Sequence, residues 1–137
     1  MDAQPQPGTS FLSAGDAHAQ AMSLPIAEIV RHLLELLDAT TVAVIAGVQE
    51  TRAVHSWLTG REPQRPQVLR FALQLAAMIA NAGDAEFCKA WFHGSNPHLD
   101  DRVPMIILRD QPLADIQRDL VGAARIFAAR FSQPEPG

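Results

Sequence analysis

A glycine between two short segments with apolar faces constrains the fold of this chain more than any other feature. A run of small apolar residues leads into Gly47, which can adopt the positive φ of a tight turn at little steric cost. After the turn, Thr51 is a suitable N-cap for a second short helix with Val54 and Trp57 on one face, and Gly60 is placed to end it. Two short helices joined by a tight turn are typical of a helix-turn-helix motif.

The segment before Gly47 is open to two interpretations, because its β-branched residues would also suit a short strand. We predict a helix, capped by Thr40 or Thr41, since the segment directly precedes a second capped segment and has no hairpin partner. Val54 follows Gly47 by seven positions, one more than the usual helix-turn-helix spacing. Either the turn is longer or the first helix starts differently.

Helical periodicity extends over most of the remaining chain and predicts an all-α protein. Apolar residues recur at helical spacing from Ile26 to Leu37. The segment from Val68 to about Asn81 is apolar on nearly all faces, which predicts a helix buried on several sides. Further helices are expected after Asp84, at Pro104, and from Leu113 to about Phe131.

These segments predict a helical bundle with an N-terminal helix-turn-helix module and a small C-terminal helical module. The length of 137 residues fits one domain or two small modules that share a core. Residues 1–22 show no regular period and are expected to form a disordered arm. The helix-turn-helix module is placed at 23–82, the second module at 83–131 and a flexible tail at 132–137.

The composition is typical of a folded protein. Hydrophobic residues make up 47% of the chain and charged residues 19%. No apolar run reaches the roughly 18 residues that span a bilayer, and the N-terminus lacks a signal segment. The single cysteine, Cys88, excludes an internal disulfide and suits a reducing compartment, so we expect a cytoplasmic protein.

Positive charge is concentrated in one part of the chain, although the net charge is −4. Residues 1–49 contain one arginine and five acidic residues, and residues 71–137 contain six basic and eight acidic residues. Residues 50–70 contain four arginines and two glutamates. The only positive window therefore coincides with the second helix of the motif and its flank, as contact with DNA phosphates requires.

This window supplies the candidate DNA-binding residues. The expected base contacts are Thr51, Arg52, His55 and Ser56. The expected phosphate contacts are Arg61, Arg65 and Arg70, for which ordinary solvated surface charge is the alternative interpretation. Trp57 is expected in the core. One copy with so few contacts would bind weakly, so we expect a homodimer on two half-sites about 34 Å apart.

No catalytic or metal-binding pattern is present, and we predict no enzyme activity, metal or cofactor. The chain has no glycine-rich phosphate loop after a strand and no nucleophile elbow. Two histidines and two aspartates crowd the segment 93–101, but at no established ligand spacing. Cys88 lies in an apolar helical segment, where a buried, unreactive thiol is expected.

Short motifs in the second half of the chain follow an order known from one protein family. Ala90-Trp91-Phe92 is followed by Asn96-Pro97-His98-Leu99, by Pro104-Met105-Ile106-Ile107-Leu108-Arg109 and by a final helix. With the helix-turn-helix before them, these motifs resemble the Xre/MbcA/ParS-type antitoxin family, over roughly residues 24–127. The residues that match its toxin-binding module are Trp91, Asn96, Pro97, Leu99, Pro104 and Leu108.

The resemblance implies a DNA-binding antitoxin of a type II toxin–antitoxin system. Such proteins pair with a RES-domain toxin, typically an enzyme that degrades NAD. Their first module represses the operon. Their second module, especially its C-terminal segment, blocks the toxin's active site, which makes Arg125 a candidate toxin contact in this chain. A stand-alone dimeric transcriptional regulator and a protein-interaction module without DNA binding are the alternatives.

The chain departs from the family pattern at two places. Val103 precedes Pro104 where the family usually has a capping threonine, and loss of a cap costs about 1 kcal/mol. Asp100 or Asp101 is an alternative cap. The segment 123–131 also differs from the family's usual ending, which bears on toxin binding more than on the fold.

Overall fold

Eight α-helices and two short 3₁₀ turns make up residues 14–83 and 85–132, the part of the chain that this computed structural model describes. The predicted all-α fold is confirmed, and the described residues contain no β-strand. The helices are α1 (Ala14–Ser23), α2 (Ile26–Leu36), α3 (Ala39–Ala46), α4 (Thr51–Ser56), α5 (Pro66–Ala82), α6 (Ala85–His93), α7 (Pro104–Asp110) and α8 (Leu113–Ser132). The 3₁₀ turns are Trp57–Thr59 and Pro97–Leu99.

Helix α5 lies at the centre of the bundle and contacts α1, α2, α3, α6 and α8. Its side chains Leu69, Leu73, Leu75 and Ile79 are fully buried, which confirms the prediction of a helix buried on several sides. Each such side chain contributes about 1.5–3 kcal/mol through the surface it removes from water. The apolar core is continuous through both predicted modules, so the division at residues 82 and 83 stays a prediction.

Helix α1 was not expected, because residues 1–22 were predicted to be a disordered arm. That prediction is wrong for residues 14–22, and residues 1–13 lie outside the described residues. The segment lacks an apolar stripe, but alanine has the highest helix propensity of all residues. Ala21 is 1% exposed in the packed bundle. The Arg70 guanidinium donates to the carbonyls of Ala21 and Leu24, at 3.0 and 2.6 Å, at the end of α1.

Helix α8 extends through Ser132, one residue beyond the predicted end. The remainder of the predicted flexible tail, residues 133–137, lies outside the described residues.

Helix α3 begins at an aspartate cap rather than at a threonine. The Asp38 carboxylate accepts a hydrogen bond from the Thr41 backbone N–H at 2.8 Å, so the predicted cap at Thr40 or Thr41 is wrong. The Lys89 ammonium lies 3.2 Å from the same carboxylate. Partial burial alone would raise the pKa of Asp38, but the hydrogen bonds from Thr41 and the Lys89 charge outweigh burial and lower it. The helix, rather than a strand, is confirmed.

The turn between α3 and α4 has four residues, from Gly47 to Glu50. Of the two explanations offered for the spacing, a longer turn and a different start of the first helix, the longer turn applies. Gly47 has φ 79°, the left-handed conformation expected of it, and its N–H bonds back to α3. Thr51 is the first residue of α4, and Glu50 holds the cap position without a side-chain hydrogen bond, so the predicted Thr51 cap is wrong. Gly60, with φ 119°, terminates the 3₁₀ turn that continues α4.

Candidate nucleic-acid interface

The inner side of α4 is fixed in the protein core. Val54 is fully buried, and Trp57 is 5% exposed in the 3₁₀ turn that follows the helix. Helix α4 packs against α3, and the 3₁₀ turn packs against α2. Trp57 is therefore a core residue, as predicted. Helices α2, α3 and α4 thus pack together through this inner side, and the opposite side of α4 is exposed.

That outer side presents Thr51, Arg52 and His55, which are exposed. Within the described residues, Arg52 makes no hydrogen bond or ion pair, so all five of its donors are available. His55 Nδ1 lies 2.9 Å from the Thr51 carbonyl oxygen. Because Nδ1 must donate in this bond, Nε2 of the neutral ring is an acceptor. The surface can thus both donate to and accept from a ligand.

Ser56 does not belong to this exposed surface, contrary to prediction. It is half-buried, and its hydroxyl donates to the Ala53 carbonyl at 2.6 Å. Such a bond to a carbonyl one turn back is a common arrangement for a serine in a helix. Its O–H is therefore already used inside α4.

Arg61 is exposed directly after Gly60, where the 3₁₀ turn that continues α4 ends, and it is not paired with any acidic group of the described residues. Glu50 and Glu62 are exposed at the two ends of the same segment. The free guanidinium groups of Arg52 and Arg61 are thus accompanied by two carboxylates, and the positive field of one protomer is weak.

Arg65 is a structural residue, although the sequence predicted a phosphate contact. Its guanidinium donates to the carbonyls of Ile45 at 3.2 Å, Leu108 at 2.9 Å and Arg109 at 3.2 Å. These carbonyls lie in the last turns of α3 and α7, where no helical N–H can reach them. A cation is also favoured at the C-terminal end of a helix dipole. Arg65 therefore joins α3 to α7, and its role as a phosphate contact stays a prediction.

Most residues predicted to bind a partner protein are buried instead. Trp91 is 4% exposed, Leu99 and Leu108 belong to the same core, and Pro104 is buried at the start of α7. These four side chains therefore pack in the core, and their role as partner contacts stays a prediction, because a motif match does not distinguish a contact residue from one that maintains the fold. Of the others, Asn96 is also buried, whereas Pro97 and Arg125 are exposed.

The loop before α7 is shaped by Asn96 and two aspartates. The Asn96 side-chain oxygen accepts from the His98 N–H at 2.9 Å and caps the 3₁₀ turn. Asp100 and Asp101 both have positive φ, 59° and 62°, which aspartate tolerates better than most residues. Val103 occupies the cap position of α7 without a side-chain hydrogen bond, so neither aspartate is the alternative cap.

The part of the chain that the structure describes contains neither a cluster of metal-binding side chains nor an exposed thiol. No three or more His, Cys, Asp or Glu residues come together in an arrangement that could hold a metal ion. Cys88 is buried, and its thiol donates to the Ala76 carbonyl at 3.1 Å.

Among the described residues, no helix combines the length and the apolar character needed to cross a lipid bilayer.

In comparisons with known proteins, no family model matches the chain, and neither a curated protein nor a solved structure shows significant similarity to it. The resemblance to the antitoxin family therefore depends on the short sequence motifs alone.

Proposed function

We propose that this protein is a DNA-binding transcriptional regulator that places α4 in the major groove. One observation supports the proposal above the others. Arg52 is exposed and unpaired in the first turn of a helix whose opposite side is fixed by Val54 and Trp57. In helix-turn-helix proteins the N-terminal residues of the second helix contact base edges. A guanidinium there can bind guanine through O6 and N7, and Thr51 and His55 add neighbouring polar contacts.

The charge balance favours a homodimer as the binding species. Arg52 and Arg61 near α4 are unpaired within the described part of each protomer, and the protein has a net charge of −4. At physiological salt, charges more than about 8 Å from the DNA contribute little. Two protomers double the contacts and match the two-fold symmetry of a palindromic operator. The regulator would act in the cytoplasm.

Replacing Arg61 by glutamine is expected to weaken binding to all duplexes by a similar factor. The Arg61 backbone N–H donates to the carbonyl of Ser56, the last residue of α4, at 3.2 Å, and the exposed side chain would contact phosphate, which positions the protein without distinguishing sequences. The slope of log K against log salt should become less negative by about 0.9 for each phosphate that is no longer neutralised, or about 1.8 for a dimer. Fluorescence anisotropy with specific and scrambled duplexes at several salt concentrations measures both quantities.

Glu86→Gln, a charge change at an exposed residue on α6, is the control and should leave the slope unchanged. An unchanged slope in Arg61→Gln would remove Arg61 from the proposed interface.

A second candidate function is neutralisation of a toxin, and the exposed surface of α8 favours it. Arg125 is exposed and unpaired within the described residues, and the adjacent Ile126 is 44% exposed. Arginine is enriched at protein interfaces, and a partner that pairs with Arg125 would also cover the apolar side chain beside it. Combined with the motif resemblance, this surface suggests a RES-domain toxin as the partner.

Arg125→Glu is expected to abolish co-purification with a RES-type toxin encoded beside this gene, while DNA binding is retained. Deleting α8 is not a suitable test, because Leu120 and Ala124 are fully buried and their removal would open the core. Arg52→Ala is the matched control on a different helix and should retain the toxin. A complex that survives Arg125→Glu would contradict the proposed contact.

A further inference from the structure

A cleft lies between the end of α6, the 3₁₀ turn Pro97–Leu99 and the second half of α8, outside the proposed DNA-binding surface. Its volume is about 180 Å³. Trp91, Pro97, Ile126 and Phe127 form much of its apolar wall, and His98 and Arg130 also line it. We refer to these six residues as the Trp91 cleft. Two of them, Trp91 and Pro97, were predicted to bind a partner, and the proposed DNA contact uses neither.

The tryptophan in this cleft has an unsatisfied polar group. Trp91 is 4% exposed, and its indole Nε1–H is buried without a hydrogen-bond acceptor in the described structure. A buried indole N–H usually has a partner, because a buried donor without an acceptor destabilises the folded state. Trp91 makes an edge-to-face contact with Phe92, with ring centroids 5.1 Å apart. The indole is thus held by packing rather than by a hydrogen bond.

The charge around the cleft is positive. Arg130 is exposed and makes no ion pair with the described residues, and none of the described aspartates and glutamates lines the cleft. A guanidinium binds a carboxylate through two parallel hydrogen bonds, a geometry that a neutral group does not reproduce. His98 lines the same cleft and is exposed. These features favour an anionic ligand with an apolar body.

We propose that the Trp91 cleft binds a small organic acid. Its aromatic or branched aliphatic body fills the apolar part, and its carboxylate pairs with Arg130. The size is suitable, because a protein cavity of about 150 Å³ lined by apolar side chains holds benzene. The proposal does not depend on DNA binding, because neither α4 nor Arg61 lines the cleft.

Titration of the full chain with benzoate, followed by the two indole N–H resonances in NMR spectra, tests the proposal. Trp57→Phe assigns the Trp91 resonance. Benzoate is expected to shift the Trp91 resonance saturably and to leave the Trp57 resonance in place. Arg130→Gln should raise the Kd about tenfold, the order expected for a charge-assisted hydrogen bond. Ala90→Leu, which adds bulk at an exposed residue lining the cleft, should abolish the shift.

Arg118→Gln is the matched control, since Arg118 is an exposed arginine of α8 that does not line the cleft, and it should leave the Kd unchanged. No shift of the Trp91 resonance by benzoate would overturn the proposal. Equal binding of benzoate, benzamide and toluene would also overturn it. That result would show that the cleft accepts apolar groups without regard to charge, as it would for the side chain of a partner protein.

Discussion

Replacing Arg65 by alanine is expected to lower the free energy of unfolding by about 2–4 kcal/mol. The guanidinium donates to three backbone carbonyls in the last turns of α3 and α7, and its removal leaves all three without that donor. A hydrogen bond to a charged group contributes about 1.5–3 kcal/mol, and three bonds from one side chain are not independent. Urea denaturation followed by circular dichroism measures the change.

Two further variants separate this role from a simple effect of charge. Arg65→Lys keeps the charge but lacks the planar fork that contacts two helices, so it should recover less than half of the lost free energy. Arg61→Ala removes an exposed, unpaired arginine four residues earlier and should change stability by less than about 0.5 kcal/mol. If Arg65→Ala is no less stable than Arg61→Ala, Arg65 does not join the two helices.

Replacing Arg52 by alanine is expected to reduce affinity for the specific operator by about 2–6 kcal/mol in a dimer, and to leave stability unchanged. Each bidentate contact to guanine contributes about 1–3 kcal/mol of discrimination, and two protomers make two such contacts. Stability should not change, because Arg52 is exposed and unpaired within the described residues. Anisotropy titrations on specific and scrambled duplexes measure the difference in affinity.

Arg52→Lys is the informative companion variant. Lysine keeps the positive charge and its attraction to phosphate, but it lacks the planar fork of the guanidinium. It should therefore bind scrambled duplexes like the wild type and lose part of its preference for the operator. Equal losses on both duplexes for Arg52→Ala would show that Arg52 does not contact a base.

The helices that the sequence predicted well are those with an apolar stripe or a strong terminator. Apolar spacing located α2, α5 and α8 to within one or two residues, and Gly47 and Gly60 adopt the left-handed conformations that the turn and helix end require. Helix α1 was missed because it is stabilised by alanine propensity and by packing on α5, not by a visible stripe.

The candidate site was only partly predictable, because the role of a charged side chain depends on distant groups. Arg61 and Arg65 look equivalent in the sequence. The Arg65 guanidinium, however, meets carbonyls 20, 43 and 44 residues away, and nothing in its local sequence indicates them. Similarly, the matched motif residue Trp91 lies in the core beside the exposed Pro97. The sequence motifs did not distinguish interior from surface, and only the packing did.

The most direct test of the central claim is selection of bound duplexes from a random-sequence library with the wild-type protein and with Arg52→Lys. We predict that the wild type enriches a palindromic sequence with a guanine in each half-site and half-site centres about 34 Å, or a multiple of that distance, apart. Arg52→Lys should lose the preference at that guanine and retain the spacing. Failure of the wild-type protein to enrich any sequence would contradict the account of α4 as a DNA-recognition helix.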